Sequence, residues 1–121
     1  VQFLNKLGCE VTAVTTSLDK EKLLKELGAK DLINSKDPEQ LAKNDSKFDF
    51  VINTVDQGSV FNQTIGFVAK GGTYCLVGVG ADHDNLSLKW RHLVIKEVAV
   101  VGSVVGSRSA IREMLEFCAE K

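Results

Sequence analysis

A chain of 121 residues, 44% hydrophobic and 26% charged, is composed like one folded domain and unlike a disordered or fibrous polymer. Its fifteen Lys and Arg against sixteen Asp and Glu, signs interspersed, exclude duplex nucleic acid as the main partner, because phosphate binding rests on a concentrated basic face. No apolar run reaches the ~20 residues of a membrane helix, and Val1 to Leu7 lack a secretory cleavage pattern. The composition is that of a cytoplasmic protein.

Strand-length apolar runs alternate with amphipathic helical stretches, which predicts an α/β fold with a parallel sheet covered by helices on both faces. Phe3, Leu4 and Leu7 recur at helical spacing up to Gly8, so the chain reads as starting inside a helix. Glu10 to Thr16 is β-branched and predicts a strand. Ser17 offers an N-cap for a helix carrying Leu23, Leu24 and Leu27, which Gly28 closes. Asp31 to Asn34 predicts a short strand. Asp37, Pro38 and Gln40 supply an N-cap, an N1 proline and a capping-box partner for a helix ending near Asn44.

Phe48 to Val55 is the strongest strand candidate. Phe61, Ile65 and Val68 predict a helix from Ser59 to Ala69, and Gly71 and Gly72 a turn into a strand from Thr73 to Val79. A polar loop follows over Ala81 to Ser87, then a short helix over Leu88 to Ile95 and a buried strand over Glu97 to Val105. The last helix aligns Ile111, Met114, Leu115 and Cys118 on one face. With no repeat or linker composition, residues 1–121 read as one domain cut at both ends.

Cys9, Cys75 and Cys118 are too far apart for a disulfide framework or a C-x-x-C motif and are expected to be buried or half-buried free thiols. His83 and His92, with no third ligand, make no zinc case and read as surface residues, so no metal site is expected in the chain. No nucleophile with its base, and no pair of carboxylates at one tip, is present, so no catalytic residue is expected either.

What remains is the strand tips, because an open parallel sheet binds ligands outside the carboxyl ends of its strands. Thr15, Thr16, Ser17 and Lys20 place hydroxyls and a cation where a dinucleotide fold meets the adenosine ribose, a pattern suited to a 2'-phosphate. Asp19 is close enough to repel that phosphate if it turns inward. Asn53-Thr54-Val55, Leu76-Val77-Gly78-Val79-Gly80 and Gly102-Ser103-Val104-Val105-Gly106 form the later tips, with glycines that let backbone approach a flat ligand. Gly78 and Gly80 do not complete a phosphate fingerprint, since His83 occupies the third glycine position.

These blocks, in this order, resemble the coenzyme-binding half of the medium-chain zinc-dependent alcohol dehydrogenases, in the branch of cinnamyl alcohol dehydrogenases and bacterial aldehyde reductases. The resemblance is carried by L-G-C-E-V-T-A-V-T-T-S-x-x-K from Leu7 to Lys20, L-G-A-K-D-L-I-N-S from Leu27 to Ser35 and F-D-F-V-I-N-T-V from Phe48 to Val55. G-G-T-Y-C-L-V-G-V from Gly71 to Val79 and the ending from Gly102 to Lys121 complete it. It implies a Rossmann-type doubly wound parallel sheet that lacks its first strand and Gly-rich turn, with zinc held by a separate catalytic domain outside these residues.

It further implies NADP(H) as coenzyme, with Thr15, Thr16, Ser17 and Lys20 on the 2'-phosphate and Thr54 and Val55 on the adenosine and pyrophosphate side. Val77, Gly78 and Val79 would face the nicotinamide, and Ser103, Val104 and Val105 its carboxamide. The implied activity is hydride transfer to or from a primary alcohol or aldehyde, in a homodimer joined along the strand near Val98 to Val101. A zinc-free quinone reductase and a non-catalytic nucleotide-binding or interaction fragment are the alternatives. Loss of a central strand is expected to open the middle of the sheet.

Overall fold

A computed structural model describes residues 1–81 and 85–121, so the reading of His83 as a surface residue, and of its neighbours Asp82 and Asp84, lies outside the described residues. The chain divides into two compact units, residues 1–42 with 106–121 and residues 43–105, each of which is described by itself.

In the first unit a short helix, α1 (Gln2–Lys6), leads through Gly8 into β1 (Val11–Thr15). A 3-10 turn over Leu18–Lys20 and α2 (Glu21–Glu26) return the chain to β2 (Ala29–Asn34), parallel to β1 with Thr15 opposite Asn34. Val11, Ala13, Ala29 and Ile33 are buried. The strand predicted over Asp31 to Asn34 thus begins two residues earlier, at Ala29, which pairs with Val11.

Asp37 caps α3 (Pro38–Lys43) as expected, its Oδ1 accepting from the Glu39 and Gln40 amides at 2.9 and 3.2 Å. Gln40 adds two side-chain bonds of its own. Its Nε2 donates to Asp37 Oδ2 at 2.9 Å and its Oε1 accepts from the Asn34 amide at 2.9 Å, so it stitches the helix start to the end of β2.

The last helix, α6 (Arg108–Glu120), starts at Ser107, whose Oγ accepts from the Ala110 amide at 3.3 Å. Its apolar face is not buried as its spacing suggests. Ile111 and Leu115 are exposed, and Phe117 stacks on Phe3 with centroids 5.5 Å apart. Cys9 and Cys118 are likewise exposed, and only Cys75 is buried.

The second unit is a parallel sheet in the order β3-β4-β5. Its elements are β3 (Phe48–Asn53), α4 (Gly58–Thr64) with a 3-10 turn over Ile65–Phe67, β4 (Val68–Leu76), α5 (Trp90–Lys96) and β5 (Ala99–Gly102). Phe61, Val68, Tyr74 and Val98 make its core, the Phe61 and Tyr74 rings meeting edge to face at 5.0 Å.

Several boundaries differ from the sequence reading, among them the ends of β3 at Asn53 and of β4 at Leu76. The helix predicted to Ala69 stops at Thr64, whose hydroxyl donates back to the Val60 carbonyl at 2.6 Å. Val68 therefore already belongs to β4, opposite Phe48. The next pair is Phe50 with Thr73, so residues 69–72 loop out against Asp49 alone. Gly71 and Gly72 form this bulge and not a turn before the strand; Gly71 takes φ 77°, open to glycine at little cost. β5 ends at Gly102, where the Ser103 amide makes a last bond to the Leu76 carbonyl at 2.9 Å and releases Val104 and Val105.

The strands therefore form two hydrogen-bonded parallel sheets, β1-β2 and β3-β4-β5.

Candidate functional site

In the first unit the tip of β1 is built from its own hydroxyls. Thr15 Oγ1 donates to the Ser17 carbonyl at 3.0 Å and accepts from the Ser17 amide at 3.3 Å, which folds the chain sharply after the strand. Ser17 Oγ then accepts from the Asp19 amide at 3.3 Å and donates to Asp19 Oδ2 at 3.0 Å. Asp19 thus turns inward toward the tip. Thr16 and Lys20 are exposed, and Lys20 makes no ion pair among the described residues.

In the second unit the three parallel strands end on one edge, which brings Thr54 and Val55, Val77 to Val79, and Ser103 to Val105 to the carboxyl ends of β3, β4 and β5. The β3 and β4 tips touch through their backbones. A Cβ on Gly78 would lie 2.5 Å from the Val55 carbonyl oxygen, so the close approach requires glycine there. A recess of about 210 Å³ lined by Asn53, Val55, Leu76 and Gly78 opens beside them.

This edge is apolar and uncovered. Val55 and Val77 are 43% and 44% exposed, and Val79, Val104 and Val105 each exceed 80%. Bare valines beside backbone that only glycine admits fit a flat, partly apolar ligand lying across the strand ends.

Sequence reasoning missed Asn53, which it quoted within a tip and gave no role. Its carbonyl accepts from the Val77 and Gly78 amides at 2.9 and 3.2 Å, while its Oδ1 accepts from the Val55 amide at 2.9 Å. The signal was an amide side chain closing a run of apolar strand residues.

Away from the tips, the expectation of a surface His92 is corrected. Its Nε2 is buried with no hydrogen-bond partner among the described residues, on a cavity of about 580 Å³ lined also by Asp45, Gln63, Ser87, Lys89 and Lys96. Lys96 is already engaged there by Asp45 at 3.5 Å and by Ser46 Oγ. Among the described residues no group of three or more His, Cys, Asp or Glu could hold a metal ion, so the donor set for zinc does not fit here. Among them, too, no helix is long and apolar enough to cross a membrane.

A family model described as zinc-binding dehydrogenase matches residues 1–120. Aldehyde reductase AdhA of Synechocystis sp. is 39% identical over 117 residues, 97% of this chain and 34% of that protein. Aldehyde reductase YahK of Escherichia coli is 33% identical over 120 residues, 99% of this chain and 34% of that protein. Among solved structures, a cinnamyl alcohol dehydrogenase from Sorghum bicolor superposes with a TM-score of 0.89 at 27% identity, over 98% of this chain and 33% of that one. The chain thus spans about a third of the length of the relatives it matches. It belongs to the medium-chain zinc-dependent alcohol dehydrogenase family, and its fold is that of the family's coenzyme-binding domain.

Proposed function

We propose that residues 1–121 form one NADP(H)-binding domain serving an alcohol dehydrogenase that acts as an aldehyde reductase on primary alcohols and aldehydes. The observation that carries this reading is the uncovered edge of the second unit, where exposed Val55, Val77 and Val79 flank a glycine in backbone contact with a neighbouring tip. The coenzyme, when bound, supplies or accepts the hydride.

The residues of this chain hold and orient it. Val77, Gly78 and Val79 would bear on the nicotinamide, Ser103, Val104 and Val105 on its carboxamide through backbone groups, and Thr54 and Val55 on the adenosine and pyrophosphate side. Thr15, Thr16, Ser17 and Lys20 would meet the 2'-phosphate, Lys20 having no ion pair among the described residues. None of these groups exchanges a proton with substrate, so catalytic chemistry and the family's zinc belong to residues outside the chain. A cytoplasmic location and a homodimer along β5 belong to the same proposal.

One observation favours NAD(H) instead. Asp19 accepts from Ser17 Oγ at 3.0 Å, and a carboxylate at this tip suits the two free hydroxyls of a ribose and repels a phosphate. Calorimetric titration of the chain with NADPH and NADH separates the two. Thr16→Asp with Lys20→Ala is expected to weaken NADPH by about tenfold or more, the loss of a charge-assisted contact worth about 1.5–3 kcal/mol, while NADH stays within about threefold. Equal effects on both sink the phosphate assignment. Asp19→Ala should tighten NADPH if that assignment holds and weaken NADH if the carboxylate is the ribose ligand.

A further inference from the structure

Asn53, the last residue of β3, is 5% exposed and bonded to both neighbouring tips at once. Its Oδ1 is taken by the Val55 amide at 2.9 Å, which leaves the Nδ2 protons as what the side chain can offer the neighbouring Tyr74 phenol. Tyr74 is fully buried, and its hydroxyl lies 2.6 Å from Thr64 Oγ1, which lies 2.6 Å from the Val60 carbonyl. A carbonyl only accepts, so the Thr64 proton points to Val60, the Tyr74 proton to Thr64, and the phenol oxygen is free to accept from Asn53. Every proton in the series has one direction. The Asn53 amide consequently has one orientation, the one that presents Oδ1 to Val55.

We propose that Asn53 is a positioning residue for the coenzyme: held by the buried Tyr74–Thr64 pair, it locks the Thr54–Val55 and Val77–Gly78 turns into one preformed backbone surface, Thr54–Val55 toward the pyrophosphate and Val77–Gly78 toward the nicotinamide. This rests on the coenzyme reading above. The two turns meet so closely that a Cβ on Gly78 would collide with the Val55 carbonyl, and the residue that anchors both is Asn53. Backbone held in its bound arrangement before the ligand arrives costs less ordering when the ligand binds.

The test uses the chain itself, amide hydrogen exchange at Val55 and Gly78, and two probes: NADPH, and adenosine 2',5'-bisphosphate, which lacks the nicotinamide. Tyr74→Phe keeps the ring against Phe61 and removes only the hydroxyl; Thr64→Val removes the next hydroxyl at equal volume and Thr64→Ser restores it. Asn53→Ala removes the anchor, and the milder variants keep the test decisive if that one fails to fold.

Tyr74→Phe and Thr64→Val are expected to speed Val55 exchange and to weaken NADPH about three- to tenfold, the scale of one buried hydrogen bond. Thr64→Ser should behave as the parent chain does, and the bisphosphate should lose less affinity than NADPH in every variant, since it lacks the nicotinamide that Val77–Gly78 would hold. Variants that lose Val55 protection yet bind NADPH as before, or that keep protection unchanged, overturn the positioning role. A parent chain with both amides protected that binds neither probe overturns the coenzyme reading, and the positioning role with it.

Discussion

Tyr74 is the one tyrosine in the chain, so its titration can be followed by absorbance with no other phenol in the way. Burial pushes its pKa above the ordinary 10.0, and its contacts with the Thr64 and Asn53 side chains offset part of that rise. The folded chain then keeps this proton where the unfolded chain has lost it. Stability contributed by the neutral phenol is complete below about pH 10 and is lost as pH rises through the raised folded value. Urea unfolding across that alkaline range should show stability falling with pH, and Tyr74→Phe should flatten the slope; an unchanged slope would place the alkaline loss elsewhere. At this scale the sequence was partly legible. The hydroxyls of Thr15 and Ser17 do shape the β1 tip, because short polar side chains bond their own backbone wherever they stand. Asn53 was not legible, since its role comes from Tyr74 and Gly78, which the fold brings to it from distant positions in the chain. Nor was the inward turn of Asp19, which depends on a single rotamer.

Elements were legible where the cue was local. Asp37 before Pro38 announces a helix start, and Asp37 accepts from two amides there. Replacing Asp37 by Ala should cost about 1–2 kcal/mol, as loss of a good N-cap does, and Asp37→Asn should recover most of it, both read from urea midpoints. Boundaries set by pairing were not legible. Nothing in Val68 itself distinguishes the end of an amphipathic helix from the start of a strand; its position opposite Phe48 decides it. Glu97 ends α5 in the left-handed region at φ 53°, a post that local propensity assigns to glycine, and this moves the strand that follows to Ala99. Periodicity in α6 named an apolar face correctly without saying what, if anything, it meets.

At the scale of the molecule, collinear blocks and alternation were enough for the family and the fold, because an α/β order constrains topology so tightly. The strands pair as β1-β2 in one unit and as β3-β4-β5 in the other. Among the described residues β5 pairs with β4 alone, and Val101 stands 41% exposed on it, so one long side of that strand has no strand partner there and lies beside apolar surface. We expect a two-fold association along this side, seen as a dimer by size-exclusion chromatography with light scattering. Val101→Lys should return the monomer, and a wild-type monomer would rule the association out. The bulge at residues 69–72 has a wider consequence. Gly71 is exposed, with no atom within 4 Å of where a side chain would begin, and the ladder resumes its register on either side of it. Polypeptide length is therefore unconstrained at that one point, and an inserted segment or a grafted label could leave the chain there and rejoin it without shifting the strand ends where the coenzyme is proposed to lie.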